Sequence, residues 1–108
     1  MVFDIYEVGG IGEFITEDAT LGEGDDAEQV TVYKVQAEEP KAFLVVRKNT
    51  LEVRTDDRLK NLLREKYESV MESRYFGKGG IEIVNSGQLS ADEINDLVRL
   101  SCSLTGDL

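Results

Sequence analysis

The chain has no histidine, and its only cysteine is Cys102. Without histidine the usual zinc sites, Ser-His and Cys-His nucleophile activation, and a histidine acid–base pair are all excluded. A Ser-Lys or carboxylate mechanism survives, and nothing in the sequence recommends either. With one cysteine no disulfide forms within the chain. No apolar run approaches the roughly 20 residues needed to span a bilayer, so no membrane partner is expected. The first ten residues carry Asp4 and Glu7 and no lysine or arginine, unlike a signal peptide. The expectation is a soluble, cytoplasmic protein.

Positive charge is also missing, but only from one part of the chain. Residues 1–29 hold Asp4, Glu7, Glu13, Glu17, Asp18, Glu23, Asp25, Asp26 and Glu28, and the first basic residue is Lys34. Residues 30–108 carry 13 acidic and 12 basic side chains, so almost all of the net charge of -10 lies in the first quarter. Arg47 to Lys78 has nine basic against six acidic residues, a mildly basic middle. At 108 residues the chain is read as a single domain over 1–108, with an acidic segment over 1–29. That length allows one core without staples.

Val2 to Val8 is rich in β-formers and is read as a strand, although residues 2, 5 and 6 would also share a helical face. Ile11 to Ile15 reads as a short second segment ending before Thr16. Residues 16–28 show acids and glycines without periodicity, and are expected to form an exposed loop. A calcium loop of the EF-hand kind starting at Asp18 fails, because Glu23 stands where the turn glycine is required.

Residues 30–36, 42–48 and 51–54 read as strands joined by short turns, hence an antiparallel meander. In the last of these, Leu51 and Val53 point in, with Glu52 and Arg54 out. Thr55 caps a helix whose apolar face is Leu59, Leu62, Leu63, Tyr67, Val70 and Met71, with Lys60 on the opposite face; Ser69 marks an alternative, earlier exit near Tyr67. Gly77 to Gly80 is expected to be a loop and Ile81 to Val84 a short strand, followed by a turn at Asn85-Ser86-Gly87. Ser90 and Glu93 make a capping box for a last helix burying Ile94, Leu97, Val98 and Cys102. The fold class is therefore α+β: an antiparallel sheet with two helices, over 59–71 and 90–103, packed on one face.

One set of residues, taken together, has a familiar order. Val32-Tyr33-Lys34-Val35 is followed by Ala42-Phe43-Leu44, Val53-Arg54-Thr55, and Leu59 with Leu62-Leu63-Arg64-Glu65-Lys66-Tyr67. Ser69-Val70, Gly77-Lys78, Gly87-Gln88-Leu89-Ser90, Asp92-Glu93-Ile94, Leu97-Val98 and Leu100-Ser101 come next. In order and spacing this resembles the MmcQ/YjbR family of small bacterial proteins, over roughly residues 30 to 102. The resemblance implies an α+β domain of the same build, often labelled DNA-binding through paired hairpin wings. The chain departs from the family pattern in its Gly-interrupted acidic front end, in Gly80 where a tryptophan is expected, and in Cys102 where an aromatic is usual.

No catalytic, cofactor or metal site is identifiable. The possible binding surface is Arg47, Lys48, Arg54, Arg74, Tyr75, Phe76 and Lys78. Gly77-Lys78-Gly79-Gly80 is the most site-like stretch, but it lacks the spacing of a phosphate loop, and a plain glycine connector is the favoured reading. Arg58, Lys60 and Arg64 could extend a nucleic-acid surface, with Tyr75 and Phe76 to stack on bases. A net charge of -10 disfavours that partner, unless the acidic front end covers the basic middle in cis. Cys102 and the tyrosines read as packing residues. The expectation is a non-enzymatic interaction domain whose partner is another protein or a second copy; the alternative is a nucleic-acid-binding domain of the MmcQ/YjbR-like kind. An enzyme or small-molecule binder using the Arg74–Gly80 loop ranks third.

Overall fold

The computed structural model describes residues 3–85 and 87–108. After a 3-10 turn (Ile5–Glu7) come β1 (Phe14–Leu21), a second 3-10 turn (Gly24–Asp26), β2 (Glu28–Val35), β3 (Ala42–Val46) and β4 (Thr50–Arg54). Then follow α1 (Asp57–Lys66), β5 (Met71–Ser73), β6 (Gly77–Val84) and α2 (Ala91–Gly106). The strands form one antiparallel sheet in the order β1-β2-β3-β4-β6-β5. Both helices cover the same face, so the architecture is α+β, as the patterning implies. Leu51, Val53, Ile81 and Ile83 pack there against Ile94, Leu97 and Val98 of α2 and against Leu59 and Leu63 of α1.

The expected meander is present, and β3 is its most buried strand. Its register with β2 shifts between Tyr33 and Lys34, so that Phe43 is an extra, bulged residue. The bulge turns Phe43 and Leu44 together into the helix-side core, while Ala42 and Val45 join Val30 and Val32 on the other face. A continuous apolar run is thereby buried on both sides. Ser101 of α2 locks this point: its hydroxyl donates to the Phe43 carbonyl and accepts from the Arg54 N–H. The capping box is also present, with Ser90 accepting from the Glu93 N–H and Glu93 from the Ser90 N–H.

Several expectations are corrected. Residues 3–8 are not a strand: Asp4 accepts from the Tyr6 N–H at 2.9 Å, and Ile5 and Val8, three apart, enter the core. Val2, part of that expectation, lies outside the described residues, as does Ser86 of the expected turn. The loop expected over 16–28 is strand as far as Leu21, because all eight residues of β1 pair with β2 and Ala19 and Leu21 meet the outer-face apolar cluster. The connection is only residues 22–27, entered through Gly22 at φ 87°.

The first helix ends at Lys66, not near Met71, because Tyr67 is already extended and Met71 pairs with Glu82 as β5. That is the earlier exit Ser69 hinted at. Its cap is Asp56, which accepts from the Leu59 N–H, and the Thr55 hydroxyl is buried without a partner among the described residues. Lys60 and Leu62 also exchange roles, at 7% and 56% exposure. Lys60 lays its stem against the sheet and its ammonium reaches Glu72 at 2.7 Å and the Lys78 carbonyl at 3.2 Å. Finally, Gly77 to Gly80 is the first half of β6 rather than a loop. Gly80 pairs with Arg54, and a side chain there would meet the Val53 carbonyl at 2.4 Å.

Candidate functional site

The sheet face away from the helices carries an ionic network where solvent-facing side chains were expected. Glu52 and Glu82 stand directly opposite each other on β4 and β6. They are 0% and 3% exposed, and Arg47 beside them is 7% exposed. Two like charges in that position are tolerable only if each is paired. Glu52 accepts from Arg47 Nε at 2.6 Å, Ser73 Oγ at 2.8 Å and the Tyr75 N–H at 2.9 Å. Glu82 accepts two bonds from Arg74, at 2.9 and 2.7 Å, and one from Thr50 Oγ1 at 2.8 Å. Arg47 also reaches Glu28 at 2.6 Å, the point where the acidic front end meets the basic middle.

Burial by itself would raise the Glu82 carboxyl; the hydrogen bonds from Arg74 and Thr50 and the arginine charges overcome it and hold the group below its ordinary value. Burial likewise works against the Arg47 charge, and the bonds to Glu28 and Glu52 more than restore it. Leu21, Gly22, Asp26, Glu28, Arg74 and Tyr75 surround a cleft of about 470 Å³ above this network.

The residues singled out from the sequence separate into groups. Arg47, Arg74 and Tyr75 share the cleft, but both arginines are committed to carboxylates. Arg54 is half-buried, stacks on Phe76 at 4.8 Å and donates to the Ala42 carbonyl; burial lowers its pKa. Lys48 and Lys78 are exposed and make no ion pair among the described residues. Arg58 and Arg64 are exposed on α1, in the helix layer on the other side of the sheet, so the basic middle is not one surface.

The other accessible feature is the outer edge of β1. The Gln36 N–H donates to the Glu13 carbonyl, which makes that pair a hydrogen-bonded one. Alternation then turns the backbone groups of Ile15, Glu17, Ala19 and Leu21 toward β2. Those of Phe14, Thr16, Asp18 and Thr20 turn outward, and no other described segment pairs with them. Glu17 bonds Lys34 at 2.9 Å across the ladder. Asp18 has no ion pair among the described residues.

Aromatic rings gather at the start of this edge. Tyr6, 84% exposed, lies 6.1 Å from Phe14, which meets Tyr33 edge-on at 5.6 Å. The Tyr33 hydroxyl is pushed up by burial, then by Tyr6, Asp4 and Asp18, so both carboxylates bear on the same ring cluster. Neither this arrangement nor the buried carboxylates are among the expectations from the sequence. The available signal was a lone acid inside each of two short apolar strands, LEVR and IEIV.

No protein-family model, curated protein or solved structure matches the chain. Among the described residues no helix is long and apolar enough to cross a membrane.

Proposed function

We propose that this chain is a small non-enzymatic interaction domain, and that the outer edge of β1 is its working surface. There an extended segment of another protein would add a strand to the sheet. The observation carrying this reading is an eight-residue edge strand whose outward backbone groups, at Phe14, Thr16, Asp18 and Thr20, have no partner among the described residues. Such a row of donors and acceptors is a template for strand addition. The network on the outer face supports a non-enzymatic role: its carboxylate oxygens are taken up by donors, and Glu82 is held ionised, the opposite of a general acid working near neutrality.

A second copy of the chain is a poorer occupant than another protein. With only the even-numbered residues of β1 turned outward, antiparallel pairing of two β1 strands about their middle sets either Glu17 opposite Glu17 or Asp18 opposite Asp18. Nucleic-acid binding of the MmcQ/YjbR-like kind is the alternative, and it has less behind it: Arg47 and Arg74 are ion-paired and the remaining basic residues lie on different faces. Membership of that family is itself a proposal resting on the collinear residues.

Amide hydrogen exchange tests the edge. In the free chain the N–H groups of Phe14, Thr16, Asp18 and Thr20 should exchange fast, and those of Ile15, Glu17 and Ala19 slowly. A capped nine-residue peptide alternating threonine and valine should slow the first set. Protection of that set in the free, dilute chain would show the edge already closed and defeat the proposal.

A further inference from the structure

The edge of β1 is charged and aromatic as well as unpaired, and this specifies its partner. Resting on the strand-addition reading, we infer that the added segment is cationic, with a lysine or arginine side chain seated over the Tyr6–Phe14–Tyr33 rings and facing Asp18 and Asp4.

Outward backbone groups alternate with inward ones, and the residues that present them, Phe14, Thr16, Asp18 and Thr20, also share the helix-side face of β1. A strand laid against this edge places its own alternate side chains directly opposite these four. The side chain opposite Asp18 faces a carboxylate that has no cation among the described residues. Its neighbour two residues along stands opposite Thr16, beside the Phe14 ring and, one strand further in, Tyr33, which pairs with Thr16. Diagonal neighbours on a sheet lie within reach of long side chains.

Tyr6 completes the platform from the 3-10 turn, with Asp4 held at the same place by its bond to the Tyr6 N–H. Rings with flanking carboxylates form a site for an organic cation: the ring faces attract the charge and the carboxylates accept its N–H donors. On the opposite face, Glu17 is already bridged to Lys34, so the unsatisfied negative charge lies on the aromatic side. The excess of acidic residues over 1–29 adds long-range attraction for the same partner and repels an acidic one.

The test uses the full chain and three capped nine-residue peptides that alternate threonine with arginine, with glutamate or with valine. Affinity is measured by fluorescence anisotropy at low and at physiological salt, and the bound position by amide protection. The arginine peptide should bind on the order of tenfold tighter than the valine peptide, from two or three cross-strand and cation–ring contacts. It should protect the amides of Phe14, Thr16, Asp18 and Thr20. Tyr6→Ala changes no charge and should weaken the arginine peptide about two- to fivefold while leaving the valine peptide unaffected. Asp18→Lys should reverse the preference toward the glutamate peptide. Thr16→Pro removes one outward N–H without touching the bonds to β2, and should weaken all three peptides alike.

Equal protection by all three peptides would overturn the cationic partner and leave the edge reading standing. An arginine preference that survives both Asp18→Lys and Tyr6→Ala would belong to the net charge of the chain and would also overturn it. Protection by none of them would overturn both readings.

Discussion

At the scale of single residues, Glu52 decides more than any other side chain on the outer face. It is fully buried, and it accepts from a guanidinium, a hydroxyl and a backbone N–H. Glu52→Ala leaves Arg47 buried with only Glu28 and takes away the acceptor of the Ser73 O–H and of the Tyr75 N–H. The expected loss is about 3–5 kcal/mol in urea unfolding. Arg47→Met combined with Glu52→Leu removes both charges together, and should be clearly less destabilising than the sum of the single changes.

Glu82 adds a pH dependence. Its folded pKa lies below the ordinary 4.5, so as pH falls the unfolded state takes up the proton first. Its stabilisation is therefore complete above about pH 5 and drains away as pH drops below 4.5 and through the folded value. Urea midpoints measured from pH 7 to pH 3 should show this acid limb, and Glu82→Gln should flatten it.

At the scale of elements, the start of α1 separates a cap from a neighbour that resembles one. Asp56 accepts from the Leu59 N–H, and the Thr55 hydroxyl is buried without a partner among the described residues. Asp56→Ala should cost about 1 kcal/mol. Thr55→Val keeps the shape and removes an unsatisfied hydroxyl, so it should be neutral or stabilising, by up to about 1 kcal/mol. Thermal melts of the two variants should move in different directions or by clearly different amounts. Sequence alone cannot order these two residues, because Thr and Asp are both good caps. The choice depends on where β4 releases the chain, and the Thr55 N–H is still bonded to the Gly79 carbonyl.

At the scale of the whole molecule, charge placement governs association. Glu17 and Asp18 sit at the middle of an open edge, where they oppose pairing between copies. Glu17→Gln with Asp18→Asn should raise self-association, seen as a concentration-dependent dimer in sedimentation equilibrium. The unaltered chain should remain a monomer at the same concentrations. A dimer of the unaltered chain with β1 protected would point to self-association as the natural use of the edge.

How much of this was legible in the sequence differs from one feature to the next, for physical reasons. The meander, the two amphipathic helices and the capping box are local: alternation, helical spacing and cap chemistry are written within a few residues of one another, and the structure contains all of them. Two kinds of feature were settled only by tertiary structure. In one, a local signal was overruled by pairing: β1 reads as an acidic loop until β2 supplies a partner for every residue, and Gly77 to Gly80 reads as a loop until Gly77 pairs with Ser73 of β5 and Gly80 with Arg54 of β4.

In the other, polar residues look solvent-facing until the folded chain brings their partners onto the same face. Glu52 and Glu82 are buried because Arg47 and Arg74 reach them from two different turns, and Lys60 because Glu72 stands at the end of its stem. The sequence by itself determined the α+β class and the polarity of charge along the chain. Which acids are paired inside and which lie open on an edge was decided by strand pairing, which sets Ser73 and Tyr75 on Glu52, Thr50 on Glu82 and Glu28 on Arg47, residues 19 to 32 apart in the chain, and completes the shorter-range pairs made within each hairpin.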